Sequence, residues 1–128
     1  MAMTEQEWSK VAEKLRTIGA RVQLDCDGYK IVLTCVPLND YRNCIKVVIP
    51  GKAPGGLLVL DCEERRRFAR PIERKLKFPP GVERWKCTPE ELERIEADRI
   101  YTVYCFEWPN LYELQQHLEL NNRSIRLI

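Results

Sequence analysis

Six cysteines, one histidine and a dense block of arginines are the residues of this 128-residue chain whose types suit chemistry. The thiols stand at Cys26, Cys35, Cys44, Cys62, Cys87 and Cys105 with no C-x-x-C pair, so the close ligand pairs of a structural zinc site are missing. The opening Met-Ala-Met-Thr-Glu-Gln-Glu-Trp lacks the basic start and apolar run of a secretion signal, which argues against a disulfide framework. Most of the thiols alternate with apolar residues, and the equal spacing of the first three fits successive strands; they read as reduced core residues. His117, on the last helix between Gln116 and Leu118, is a lone helical histidine, which is more often a surface or half-buried residue than a base. The pairs Glu63-Glu64 and Glu90-Glu91 fall at helix starts, where the backbone dipole favours them without any catalytic role. Gly55-Gly56 fits a hairpin-type connection. No nucleophile elbow, phosphate loop or His/carboxylate cluster occurs, so neither an enzyme nor a cofactor or metal is expected.

What remains is charge. Residues 65 to 86 carry nine Lys/Arg (Arg65, Arg66, Arg67, Arg70, Arg74, Lys75, Lys77, Arg84 and Lys86) against Glu73 and Glu83, whereas residues 87 to 119 carry eight acids against Arg94 and Arg99. The net charge of +2 conceals this separation. A basic stretch of such density favours an anionic partner, above all a phosphate backbone, and the planar fork of Arg suits phosphate better than Lys does. On a helix, Arg66, Arg70, Arg74 and Lys77 make one stripe, with Arg67 beside it. Arg84, Trp85 and Lys86 follow in a Pro/Gly-rich loop, where a tryptophan between cations can stack on a base. A plainer reading pairs Glu63 with Arg66 and Arg67 within the helix, lays the Arg65 stem on the core, and lets the two charge blocks neutralise each other.

The elements that must position these residues are legible in the periodicity. Thr4 and Glu7 form a capping box for a helix whose Trp8, Val11, Ala12, Leu15 and Ile18 share one face, with Gly19 as its stop. Val22, Leu24 and Cys26 alternate into the Asp27-Gly28 turn, and Tyr29, Ile31, Leu33 and Cys35 alternate out of it. Asn39-Asp40 turns the chain into a third strand over 43–49, and Leu57 to Leu60 reads as a fourth. Asp61 then caps the basic helix, whose Phe68, Ile72 and Leu76 repeat every four residues and which Pro71 must kink or split. Thr88-Pro89-Glu90-Glu91 opens a short helix, 100–106 form a strand, Asn110 caps a last helix carrying Leu111, Leu114 and Leu118, and 124–128 add a terminal strand. The expected fold is α+β in one domain: an N-terminal helix packed on an antiparallel four-stranded meander, then the basic helix, a short helix, a strand and a C-terminal helix.

Composition is that of a soluble globular protein, 45% apolar and 31% charged, with no apolar run long enough to span a membrane. A cytoplasmic location is expected.

Several local patterns resemble small accessory proteins encoded by phages and prophages of Gram-negative bacteria. They are Thr-Glu-Gln-Glu-Trp at 4–8, Cys26-Asp27-Gly28-Tyr29, Cys62 through Phe68 with Arg70-Pro71, and Trp108-Pro109 followed by Leu111, His117-Leu118 and 121–125 (Asn-Asn-Arg-Ser-Ile). The resemblance implies an accessory product that binds nucleic acid or blocks a host complex, and it assigns no mechanism. The leading expectation is therefore a non-enzymatic binder that meets nucleic acid, or a complex handling it, through Arg66, Arg67, Arg70, Arg74 and Lys77, flanked by Arg84, Trp85 and Lys86. One alternative is a counter-defence inhibitor of a host protein, acting through its charged patches with the acidic run Glu90, Glu91, Glu93, Glu96 and Asp98 as a phosphate mimic. Another is a self-associating protein, a homodimer included, joined through the same two blocks.

Overall fold

A computed structural model describes residues 2–76, 81, 83–97 and 99–128. The elements in chain order are α1 (Glu5–Lys14), β1 (Arg21–Cys26), β2 (Tyr29–Pro37), β3 (Asn43–Val48), α2 (Pro54–Val59), α3 (Glu63–Phe68), β4 (Arg70–Lys75), a 3-10 turn (Arg84–Lys86), α4 (Pro89–Ala97), β5 (Ile100–Cys105), β6 (Glu107–Trp108), α5 (Leu111–Asn121) and β7 (Ile125–Leu127). The class is α+β. The chain divides into two compact units, one made of residues 1–70 with 104–128, the other of residues 71–103.

In the first unit a five-stranded antiparallel sheet has the order β6-β3-β2-β1-β7. Asp27 and Gly28 close the β1–β2 hairpin with φ of 50° and 92°, the left-handed pair that a two-residue turn of matching twist requires. Cys26 then faces Tyr29, which puts Val22, Leu24 and Cys26 on the same buried face as Ile31, Leu33 and Cys35. Asn39 Oδ1 accepts from the backbone of Tyr41 and Arg42 and turns β2 into β3. Over that face lie Trp8, Val11 and Leu15 of α1, Phe68 of α3, and Leu114 and Leu118 of α5. The expected capping boxes form: the amide of Glu7 donates to Thr4 Oγ1, the amide of Thr4 donates to Glu7 Oε1, and Asn110 Oδ1 takes the amide of Glu113.

Four local expectations are corrected. The fourth strand of the meander is instead helix α2. Pro54 at its first position presets the helical φ, and β3 offers no open edge because Ile45 and Lys46 pair with Trp108 and Glu107. Helix α1 ends before Ile18, which is 58% exposed, and Ala12 is exposed as well. The N-cap of α3 is Cys62 without a side-chain bond, while Asp61 pairs with Arg65 and Arg66. The basic helix is one and a half turns long. Pro71 disfavours helical backbone at Arg70 and would clash with the carbonyl four residues before it, so Ala69 turns extended and the chain continues as β4. Ile72 and Leu76, expected on the core face of that helix, lie on and just past a strand instead, and Leu76 is 55% exposed.

In the second unit β4 and β5 pair as a two-stranded sheet, and the amide of Leu76 donates to Arg99 O at 2.9 Å just beyond the strand ends. Thr88 and Glu91 cap α4 reciprocally. Among the described residues, every buried side chain belongs to the first unit and none to residues 71–103.

Candidate nucleic-acid interface

The basic block, with its expected arginine stripe (Arg66, Arg70, Arg74 and Lys77, with Arg67 beside it) and the flank Arg84, Trp85 and Lys86, is distributed over both units. Arg65, Arg66, Arg67 and Arg70 belong to the first, Arg74, Arg84, Trp85 and Lys86 to the second, and Lys77 lies outside the described residues. The stripe on a single helix is therefore corrected: the strand that starts at Arg70 alternates its side chains and ends the 3.6-residue period that would have aligned Arg66, Arg70 and Arg74.

Two of the α3 arginines are occupied by the fold. Side-chain exposure is 15% for Arg65 and 19% for Arg67, against 64% for Arg66. The Arg65 guanidinium lies 4.0 Å from the centre of the Tyr104 ring and pairs with Asp61 at 3.3 Å. Arg67 is the hub of a polar network. Its Nη1 donates to Asp27 Oδ2 at 2.7 Å and to Asn122 Oδ1 at 2.9 Å, its Nη2 and Nε donate to Glu63 Oε1, and its plane lies 5.2 Å from the Tyr29 ring. Tyr29 donates its hydroxyl to Glu63 Oε2, and Asp27 also accepts from the amides of Arg123 and Ser124 at 2.8 Å. Those two amides and Arg67 hold the Asp27 carboxyl below its ordinary pKa. Arg67 and the Tyr29 hydroxyl do the same for Glu63. The arrangement ties the β1–β2 turn to α3 and to the end of α5, and its charges are spent on one another.

Arg66 is exposed, with Asp61 Oδ1 at 3.7 Å from its Nε, and its carbonyl accepts a hydrogen bond from His117 Nε2 at 3.0 Å. That contact places the neutral imidazole proton on Nε2. Burial lowers the His117 pKa, and its ring packs 4.9 Å from that of Trp108. Arg70 Nε donates to the Glu107 carbonyl at 3.2 Å. Cys26, Cys35 and Cys44 are buried, and Cys62, Cys87 and Cys105 half-buried. Burial and the nearby Asp25 and Asp27 push the Cys26 thiol up to about 12, which keeps it protonated and unreactive.

The second unit presents its cations differently. Arg74 and Lys75 are exposed on β4 and form no ion pair among the described residues. The 3-10 turn carries Trp85, 79% exposed, with Lys86 Nζ 4.9 Å from the centre of its ring and 2.8 Å from Glu83. Trp8 and Trp108, by contrast, are 5% and 3% exposed. Arg84 pairs with Glu96 of α4, so the basic and acidic blocks of the sequence do touch. Lys75, Leu76, Arg84, Glu96 and Arg99 line a cleft of about 290 Å³. The sequence reading assigned no role to Lys75, Arg99 or Glu96 in a common site. Arg99 lies in the acidic half of the chain, and it reaches Lys75 through the pairing of β4 with β5, which charge counting along the sequence does not reveal.

No family model matches this chain, and no similar curated protein or solved structure was found. Among the described residues, no helix is long and apolar enough to cross a membrane.

Proposed function

We propose that this chain is a non-enzymatic, phage-type accessory protein of the cytoplasm that binds nucleic acid through residues 71–103. The observation that carries the reading is Trp85: one tryptophan of three is held in solvent, and it stands between Arg84 and Lys86 in the unit whose strand β4 also exposes Arg74 and Lys75. Leaving an indole in water forgoes roughly 2 kcal/mol of burial, and base stacking beside phosphate-binding cations is a use that would offset it. The β4–β5 ribbon adds support, because it holds Arg74 and Lys75 in solvent, where a phosphate backbone can reach them. The contact surface differs from the arginine helix of the sequence reading, since Arg65 and Arg67 are engaged within the fold.

The test is fluorescence anisotropy with labelled duplex DNA, single-stranded DNA and RNA, first at low and then at physiological salt. Binding whose logarithm falls steeply and linearly with the logarithm of salt is the expected result. Absence of binding at low salt would reject the reading.

A second reading has its own support. Residues 71–103 contain seven acids and seven bases, and among the described ones none is buried, so the unit is neutral overall with Leu76, Ile100 and Tyr101 in solvent. A protein surface would cover those residues, as an inhibitor of a host complex would require. A pull-down that retains one partner after nuclease treatment, from a protein that ignores DNA and RNA, would favour it.

A further inference from the structure

We infer that the 71–103 unit takes single-stranded nucleic acid, with a base stacked on Trp85 and a backbone phosphate seated between Lys75, Arg84 and Arg99. This rests on the nucleic-acid reading above and names its substrate class. Among the described residues, Lys75, Arg84 and Arg99 bring three cations to one cleft of about 290 Å³, and Glu96 lines it with them. Two of the three are arginines, whose forked donors match the paired oxygens of a phosphate. Glu96 is bound to Arg84, so its carboxylate occupies the position that a phosphate oxygen would take. A phosphate entering the cleft displaces that carboxylate.

Trp85 is the residue after Arg84 in the same 3-10 turn. Adjacent Cα atoms are about 3.8 Å apart, so one short turn offers both a cation for a phosphate and a ring for a base. An indole stacks on a base whose face is open, and in a duplex those faces are already covered by neighbouring pairs. Charge balance points the same way. With seven acids against seven bases, the unit does not generate the broad positive field that attracts a duplex, so affinity must come from short-range stacking and a seated phosphate.

The experiment uses the whole chain at low salt with oligo-dT and a duplex of equal length, read by intrinsic tryptophan fluorescence and anisotropy. Because Trp8 and Trp108 are sealed in the core, quenching reports on Trp85. Oligo-dT is expected to quench and to bind more tightly than the duplex. Trp85→Ala should weaken binding roughly tenfold, and Trp85→Phe should restore most of it. Lys75→Gln with Arg99→Gln should lower the single-strand salt slope by about 0.7, the share of the one seated phosphate. Glu96→Gln decides between a seated phosphate and a purely structural ion pair: it should tighten binding several-fold by removing the competing carboxylate, where loss of a structural pair would weaken it. Equal binding of duplex and oligo-dT, or a Trp85→Ala variant that binds like the parent, overturns this inference and leaves the nucleic-acid reading standing. Failure of every nucleic acid to bind at low salt overturns both.

Discussion

Arg67 and Lys75 are both cations of the same basic block, eight residues apart, and they have opposite fates. Arg67 gives its guanidinium to Asp27, Asn122 and Glu63 and crosses the Tyr29 ring, whereas Lys75 lines an open cleft on a strand in solvent. The same contrast separates the two units. Residues 1–70 with 104–128 bury Phe68, Leu24, Ile31, Leu33, Leu114 and Leu118 completely, and residues 71–103 bury no described side chain. A charge density counted along the sequence does not distinguish a cation that holds a fold together from one that can meet a ligand. Burial of its surroundings does.

The largest effect that can break this comparison is on stability. Phe68→Ala removes a fully buried ring whose own carbonyl accepts from Trp108 Nε1, and it should cost about 3–5 kcal/mol in denaturant unfolding. Leu76→Ala should cost under about 0.5 kcal/mol. If the two losses were alike, the second unit would have a core of its own.

Next in size is Arg67→Gln, which strips partners from Asp27 and Glu63. It should lower Tm by several degrees without changing nucleic-acid binding, and Lys75→Gln should do the reverse. The sign with pH follows from the same groups. Asp27 and Glu63 have folded pKa values below their unfolded ones, so their contribution is present at neutral pH and is lost as pH falls through the carboxylate range. In Arg67→Gln that acid-dependent loss should shrink.

A smaller, separable pH effect belongs to His117. Its folded pKa lies below the unfolded value near 6.5, so the unfolded chain takes up the proton first and stability should decline as pH drops below about 6.5. His117→Gln should remove that step while keeping a donor for the Arg66 carbonyl. The smallest effect is kinetic. Amides of α4 should exchange hydrogen faster than those of α5 at equal length of labelling, since α5 buries Leu114 and Leu118 and α4 buries none of its described side chains.

Much of the fold was legible from local rules. The capping residues Thr4, Thr88 and Asn110, the Asp27-Gly28 turn and the alternation of β1 and β2 each follow from a few neighbouring side chains. Leu57 to Leu60 failed that kind of reading because strand propensity means nothing without a free edge, and Glu107 and Trp108, some fifty residues later, take the edge of β3. Pro71 was correctly placed as an interruption, but a proline says where a helix stops and not that a strand follows. The cleft was invisible for a similar reason. Its members come from a strand, a turn, a helix and a residue beside Leu76 across the ribbon, and long-range pairing alone gathers them. Trp85 stood out in the sequence for its flanking cations, and its exposure is what gives that pattern weight.

The most direct test of the central claim compares the two halves of the basic block in one assay. Salt titrations of single-stranded binding should be run on Arg66→Gln/Arg70→Gln and on Arg74→Gln/Lys75→Gln beside the parent protein. The account predicts that the second pair lowers the slope by about 1 or more while the first leaves it unchanged within error. A slope lowered by the first pair and untouched by the second would contradict it, and would return the contact to Arg66 and Arg70.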